Sequence, residues 1–282
     1  MLHRALGLVA CLVLVVRCAP VAHDAVSVSF GDEVQLEQTL LFSFSYAARP
    51  ADARLGVIDT LPYATIEPAV QGCWRWVSDT ELTFSPLPRY APATSYTLAL
   101  QPSRFAADSS GEHHRPGGTW SFRTPSQSIV SATATWTLNP ITQQPVLRVD
   151  VGLLYDVNPS EALQHIRCEL NGAAMPIAAD AENRYGTNSV SFTISNVANA
   201  NTGPLTIVIG KGLRSTLGGN PTPTDVRTTI AIPDRSRLEI VSVSTSWVGT
   251  EGIIDVVTSQ SLDPKTMGTG IEIDPNIHHV LD

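Results

Sequence analysis

The sequence is poor in charged, aromatic and cysteine residues. Charged residues make up 16% of the chain and aromatic residues 6%, and there are four cysteines. The formal net charge is -8, and Lys and Arg do not cluster anywhere. A nucleic-acid binder needs a basic patch to neutralise phosphates. We therefore exclude nucleic acid as a partner.

The sequence also lacks an apolar run of about 20 residues, which is the length that a bilayer-spanning helix needs. The N-terminal run from Ala5 to Val16 is shorter, follows the basic residue Arg4 and precedes small and polar residues. This order is typical of a secretory signal. We predict a signal peptide over residues 1–24, cleaved near Ala22. The protein is then exported and is periplasmic or associated with the outer membrane or cell envelope.

Two of the four cysteines, Cys11 and Cys18, lie in this segment, where a bacterial lipoprotein signal would end at an acylated Cys. Cys18 is the lipidation candidate by length, although Arg17 precedes it. Cys11 has the small residue before it but too short a leader. Simple cleavage is the alternative to both, and a membrane contact is expected only through such an anchor. Cys73 and Cys168 fall in different repeats of the mature chain, so buried free thiols or an accidental pairing are favoured over a disulfide framework.

Catalytic motifs are absent as well. The chain has neither the Gly-x-Ser-x-Gly of nucleophilic hydrolases nor the His-Glu-x-x-His of metalloproteases. We expect no enzymatic activity and assign no catalytic, cofactor-binding or metal-binding residue and no cofactor.

An internal repeat organises the remaining sequence. "IVSATATW" at 129–136 returns as "IVSVSTSW" at 240–247, with four of eight positions identical. The alternation places Val130, Ala132, Ala134 and Trp136 on one face of a strand. The following segments "PVLRVDVGLL" (145–154) and "GIIDVVTS" (252–259) also match, which predicts that the two copies share a hairpin.

The match continues beyond the hairpin. Asn158-Pro159 and Asp263-Pro264 occupy equivalent places and predict the start of a short helix. "HIRCELN" (165–171) then aligns with "GIEIDPN" (270–276) as a third strand. A looser version of the plan begins at "TLLFSFSY" (39–46).

These patterns predict an all-β chain of tandem immunoglobulin-like, macroglobulin-type β-sandwiches, of which the last is incomplete. We place the first sandwich at 25–124, the second at 125–234 and the truncated third at 235–282.

Five groups of residues could form sites, and each has a simpler explanation. Glu112, His113 and His114 could bind a metal, but a solvated polar loop is favoured. His278 and His279 are poorer metal candidates still. "IGKGLRST" around Lys211 lacks the spacing of a phosphate-binding loop. Trp74 and Trp76 could form a ligand platform, although core packing is favoured. Asp180, Glu182 and Asn183 could bind calcium, or simply form a polar turn.

The segments "LFSFSYAARP", "TIEPAVQGCWRWVSDTELTFSPLPRYAPATSYTLAL" and "GTWSFRT" together resemble the N-terminal region of bacterial alpha-2-macroglobulin-like proteins. "LRVDVGLLYDVNPSEALQHI" and "DVVTSQSLDPKTM" are similar to the domains that follow there. The resemblance spans about residues 25–282. It implies an envelope protein, often a lipoprotein, that traps proteases after they cut a bait region.

The leading hypothesis is thus a non-enzymatic N-terminal fragment of such a protease inhibitor, supplying structural or interaction domains without bait or thioester. Host or environmental proteases would be partners of the full-length protein, and other envelope proteins are further candidates. The alternative is an immunoglobulin-like repeat surface protein with a structural or adhesive role.

Overall fold

The computed structural model describes residues 25–59, 61–107, 115–181, 183, 186–195, 197 and 203–262. Strands dominate this part of the chain, and all pairs between named strands are antiparallel. The described helices are one 3-10 turn, Pro102–Arg104, and one α-helix, α1, Pro159–His165. The prediction of an all-β sandwich fold is confirmed.

Eight strands in two sheets surround the first core. They are β1 Val26–Val28, β2 Leu40–Phe44, β3 Ile58–Asp59, β4 Ala64–Glu67, β5 Gly72–Ser78, β6 Glu81–Pro86, β7 Ser95–Leu100 and β8 Thr119–Arg123. One sheet has the order β1-β2-β6-β5-β3, and the other has the order β4-β7-β8. We call this unit sandwich 1.

The core of sandwich 1 is rich in aromatic rings despite the low aromatic content of the chain. Alternation along β5 buries Trp74 and Trp76, so the core prediction for these two rings is confirmed. The Tyr63 ring lies edge-on to both, with centroids 5.8 and 5.7 Å away. Large rings in such tilted contacts bury much apolar area per residue, which stabilises a small core.

Eight further strands form sandwich 2. They are β9 Ile129–Leu138, β10 Pro145–Val157, β11 Ile166–Leu170, β12 Ala173–Met175, β13 Ile177–Ala179, β14 Thr187–Ile194, β15 Pro204–Ile209 and β16 Val226–Ala231. The sheet orders are β13-β14-β10-β9 and β12-β11-β15-β16. A second, separate core cluster lies between these sheets.

Strand β10 shows why these residues form a half-buried strand. Four of its inward residues, Leu147, Val149, Val151 and Leu153, are fully buried, as the alternation predicts. Four β-branched or branched aliphatic side chains on one face match the pleat of a sheet that is covered on one side.

The prediction for Val130 is wrong. The β9–β10 register shifts between Gly152 and Leu153, so that Leu153 lies opposite Ile129. Ile129 therefore packs on the core, whereas Val130 is 58% exposed. A bulge of this kind puts an extra residue into the strand and reverses the side chains beyond it.

The predicted helix start at Asn158-Pro159 is confirmed. The Asn158 side chain accepts hydrogen bonds from the Ser160 backbone N–H (3.1 Å) and hydroxyl (2.7 Å), and Pro159 has no N–H to leave unpaired. The short helix then leads directly into β11.

Strands β17, Ile240–Val248, and β18, Glu251–Thr258, form a hairpin that corresponds to β9–β10. Every residue of β17 is exposed, and so is nearly all of β18. The other predicted parts of the third unit, Asp263-Pro264 and 270–276, lie outside the described residues. The domain boundaries near 125 and 235 stay a prediction.

Candidate interaction surfaces

The junction between the two sandwiches is the first place where distant residues meet. Gln127, which follows β8, is 3% exposed. Its side-chain amide donates to the Tyr155 carbonyl oxygen (2.8 Å) and accepts from the Tyr155 backbone N–H (2.9 Å). The Gln127 amide thus pairs with the backbone of Tyr155 as a neighbouring strand would, and it fixes the connecting segment to β10.

A loop at the end of sandwich 2 reaches sandwich 1 at the same junction. The Asn220 backbone N–H donates to the Pro92 carbonyl oxygen (3.2 Å), and its side-chain amide donates to the Ala93 carbonyl oxygen (3.1 Å). The preceding residue, Gly219, has φ of +82°, and a Cβ there would collide with the Pro92 carbonyl group. Only glycine allows this close approach without strain.

Both sides of this contact are themselves held in place. In sandwich 1, the Thr124 hydroxyl donates to the Ala91 carbonyl oxygen (2.6 Å) and accepts from the Thr94 backbone N–H (3.0 Å). In sandwich 2, the Thr216 backbone N–H donates to the Asp156 carbonyl oxygen (2.9 Å). The contact thus joins two ordered turns.

Trp136 forms the second junction, between sandwich 2 and the β17–β18 hairpin. Its backbone N–H donates to the Ser259 carbonyl oxygen (3.0 Å), and its carbonyl oxygen accepts from the Ser261 N–H (2.8 Å). Its indole N–H donates to the Pro233 carbonyl oxygen (2.8 Å). The Arg235 guanidinium lies 5.6 Å from the ring centroid, within the range of a cation–π contact.

The hairpin carries the third candidate surface. Cross-strand pairing places Val243 opposite Val256, Thr245 opposite Ile254 and Trp247 opposite Gly252. These six residues share one face, which we call the Trp247 face. Trp247 is 77% exposed, whereas its repeat counterpart Trp136 is 4% exposed. Large contiguous apolar patches on a protein surface mark interaction sites.

The candidate calcium residues have other partners in the described part of the chain. Asp180 lies 3.5 Å from the Arg148 guanidinium. The Asn183 amide donates to the Ser191 carbonyl oxygen (2.6 Å) and accepts from the Ser191 N–H (2.8 Å). These residues therefore fit the polar-turn interpretation, and Glu182 lies outside the described residues.

The Lys211 loop is organised by a carboxylate. The Lys211 backbone N–H donates to Asp225 (3.0 Å), whose carboxylate also contacts Arg167 (3.0 Å) and Arg227 (3.7 Å). The Lys211 hydrogen bond and then the two guanidinium groups lower the pKa of Asp225. An amide already bound to a carboxylate cannot take part in a phosphate cradle in this arrangement.

The two described cysteines are free. Cys73 is half-buried and Cys168 is buried within the core of sandwich 2. Burial raises the pKa of the Cys168 thiol to about 12, because the apolar surroundings disfavour the thiolate. Cys168 is thus a structural residue rather than a nucleophile at neutral pH.

The remaining predicted site residues lie outside the described residues. These are Cys11, Cys18, Glu112, His113, His114, His278 and His279. Across the described ranges, side chains of His, Cys, Asp and Glu do not gather in threes as a metal site requires. Nor does any helix in those ranges have the length and apolarity for a membrane span.

Sequence reasoning missed the junction residues Gln127, Asn220 and Gly219. Their partners lie between 28 and 127 residues away along the chain. Glycine pairs predict a turn, and Gly218-Gly219 could have indicated one, but nothing local indicates what the turn contacts.

Comparison with known proteins shows no matching family model and no matching curated protein. Among solved structures, the chain is similar to the L,D-transpeptidase LdtMt1 in complex with imipenem, at 15% identity and a TM-score of 0.23, over 56% of this chain and 55% of that one. It is also similar to an L,D-transpeptidase from Mycobacterium tuberculosis H37Rv, at 14% identity and a TM-score of 0.22, over 56% of this chain and 59% of that one. The chain therefore spans less than two thirds of these structures.

Both solved structures are of enzymes, and this finding contradicts the expectation that the chain has no enzymatic activity. That expectation is withdrawn. At these TM-scores the likeness carries no argument for any particular activity of this chain.

Proposed function

We propose that this chain is a rigid arm of β-sandwich domains in the N-terminal region of a bacterial alpha-2-macroglobulin-like envelope protein. The arm holds interaction surfaces at a defined spacing, and proteases are partners of the whole protein. The sequence resemblance over residues 25–282 supports the family, and the all-β architecture fits it.

The two hydrogen-bonded junctions are the main support for a rigid arrangement of the domains. Asn220 joins sandwich 2 to the Pro92 and Ala93 carbonyl oxygens of sandwich 1, and Gln127 fixes the connecting segment to β10 through its side-chain amide. Trp136 holds the end of the hairpin through two backbone bonds, and its indole holds Pro233 in the segment that leads to the hairpin. Successive domains without such contacts move relative to each other by default.

The signal-peptide pattern of the N-terminus supports the envelope assignment. The basic start, the short apolar run and the small residues that follow are the features of a secretory signal in residues 1–24. Lipid attachment at Cys18 would anchor the arm at the membrane surface.

Distance measurements by pulsed electron paramagnetic resonance test the rigid arm. Spin labels at Arg75→Cys and Thr229→Cys, both exposed, report on the two sandwiches once Cys73 and Cys168 are replaced by Ser and Ala. We expect one narrow distance distribution, which Gln127→Ala combined with Asn220→Ala broadens. Gln71→Ala, an exposed position away from the junction, is the control. A broad distribution in the parent protein would reject the arm.

A genomic reading tests the family separately. The DNA adjoining the coding region should encode further sandwiches and a Cys-x-Glu-Gln thioester motif. Further sandwiches followed by a wall anchor would instead select the alternative, an immunoglobulin-like repeat surface protein.

A further inference from the structure

The loop between β15 and β16, residues 210–225, is the part of sandwich 2 that reaches sandwich 1. Its two ends lie side by side, because β15 and β16 are antiparallel and Ile209 lies opposite Val226. The loop therefore projects beyond the end of this pair of strands. Its residue Asn220 makes the two hydrogen bonds to the backbone of sandwich 1.

The middle of the β15–β16 loop is held by hydrogen bonds between its two sides. The backbone N–H and the hydroxyl of Thr222 both donate to the Leu213 carbonyl oxygen, at 2.8 and 2.9 Å. The Thr222 carbonyl oxygen accepts from the Gly212 N–H (2.9 Å). Leu213 and Thr222 are buried, and Leu213 belongs to the core of sandwich 2. The loop thus continues the pairing of the two strands outward, so its base determines where Asn220 lies.

An ionic cluster closes the base of the loop. One carboxylate oxygen of Asp225 accepts from the Lys211 backbone N–H (3.0 Å), and the other lies 3.0 Å from the Arg167 guanidinium and 3.7 Å from that of Arg227. Arg167 belongs to β11, Arg227 to β16 and Lys211 to the start of the loop. A single charged side chain therefore connects both ends of the loop to a neighbouring strand.

The base and the contact with sandwich 1 differ in their response to salt. The side chains of Arg167, Arg227 and Asp225 are 60%, 59% and 33% exposed, so ions reach them. Screening acts over about 10 Å in 0.1 M salt and about 3 Å in 1 M salt, which weakens exposed ion pairs. The bonds of Asn220 and Gln127 join uncharged groups and are not screened in this way. Salt therefore acts on the base of the loop.

We propose that the Asp225 cluster is an ionic latch. It holds the β15–β16 loop in the conformation that contacts sandwich 1, so that high ionic strength loosens this contact while both sandwiches stay folded. Gln127 still fixes the connecting segment to β10, and the sandwiches change their relative orientation without separating. The inference rests on the proposed rigid arm and adds the condition that regulates its stiffness.

Pulsed electron paramagnetic resonance on the full chain tests the latch. Spin labels at Arg75→Cys in sandwich 1 and Ser189→Cys in sandwich 2 are exposed, and Ser189 lies in the sheet that does not contain β11 and β16. Cys73 and Cys168 are replaced by Ser and Ala. We expect one narrow distance distribution for the parent protein at low salt. In Asp225→Ala, the share of a second, broad component should rise several-fold.

Asp79→Ala is the matched control, because it removes an exposed ion pair, with Arg49 at 2.7 Å, that lies within sandwich 1. Its distance distribution should stay narrow. Circular dichroism shows whether each variant is folded. A folded Asp225→Ala variant with a distribution as narrow as that of the parent protein overturns the latch, as does equal broadening in Asp79→Ala.

A salt titration tests the latch without any change at Asp225. Raising the salt to about 1 M, where screening is nearly complete beyond 3 Å, should broaden the distribution of the parent protein. A distribution that is narrow at low salt and stays narrow at high salt overturns the latch and leaves the rigid arm standing. A distribution that is already broad at low salt rejects the rigid arm itself and the latch with it.

Discussion

The side-chain amide of Gln127 makes hydrogen bonds of 2.8 and 2.9 Å to the backbone carbonyl and N–H of one residue, Tyr155. Both residues are buried. Their two hydrogen bonds take the place of a backbone contact between strands in the segment that connects sandwich 1 to sandwich 2. Burial also raises the pKa of Tyr155, and the Glu33 carboxylate of sandwich 1 adds to this effect.

We expect Gln127→Ala to lower the free energy of unfolding by about 1–3 kcal/mol, because it leaves two buried backbone groups without their partner. Urea denaturation followed by circular dichroism measures the change. Gln71→Ala, at an exposed position, is the control and should alter it little. A loss no larger than that of the control would show that the amide pairing contributes nothing.

Gly218 and Gly219 provide a matched pair of substitutions. Both have positive φ, +89° and +82°, so alanine at either position carries a similar backbone cost of about 1–2 kcal/mol. Only at position 219 does the new Cβ meet Pro92 of sandwich 1; at position 218 it meets open space. We expect Gly219→Ala to be the more destabilising and to broaden the distance distribution between the sandwiches. Identical behaviour of the two variants would disprove the contact.

Stability should fall at alkaline pH, in part through Cys168. Burial raises the pKa of the thiol from its ordinary value of 9.0 to about 12, so the folded protein binds this proton more tightly than the unfolded chain does. The stabilisation is therefore complete below pH 9 and is lost progressively as the pH rises towards 12. Cys168→Ala should flatten this part of the curve of unfolding free energy against pH. Burial also raises the pKa of Tyr63 to about 12. The unfolding free energy of both the parent protein and Cys168→Ala should therefore still fall somewhat in this pH range.

Trp136→Phe removes the indole N–H that donates to Pro233 while keeping an aromatic ring in the core. We expect a loss of about 1 kcal/mol and faster proteolysis around residues 234–239, where the chain leaves sandwich 2. Trp120→Phe, at a partly buried ring of sandwich 1, is the control for aromatic replacement. Unchanged cleavage in Trp136→Phe would mean that the indole does not hold the segment between sandwich 2 and the hairpin.

Labelling of cells with a radioactive fatty acid tests export and anchoring. If the chain is acylated, Cys18→Ser should abolish the label and Cys11→Ser should preserve it. An unlabelled parent protein would leave simple cleavage of the signal as the answer.

Local patterns predicted several features well. The alternation in β10 predicted that Leu147, Val149, Val151 and Leu153 lie on one face, and this face packs in a core. The alternation in β5 favoured core positions for Trp74 and Trp76. Asn158-Pro159 predicted the helix start, because capping depends on neighbours in the chain. Val130 was placed on the wrong face, since a bulge in β9 depends on the register with β10 and not on local alternation.

The sequence by itself determined the all-β class, the internal repeat and the inward residues of regular strands, because side-chain direction in a strand follows a two-residue period. Only the tertiary structure decided that Gln127 binds Tyr155, that Asn220 reaches Ala93 and that Trp136 is buried while Trp247 is exposed. These outcomes depend on which surfaces meet after folding. The two tryptophans have nearly the same local sequence, and their different exposure follows from whether a second sheet lies over the ring.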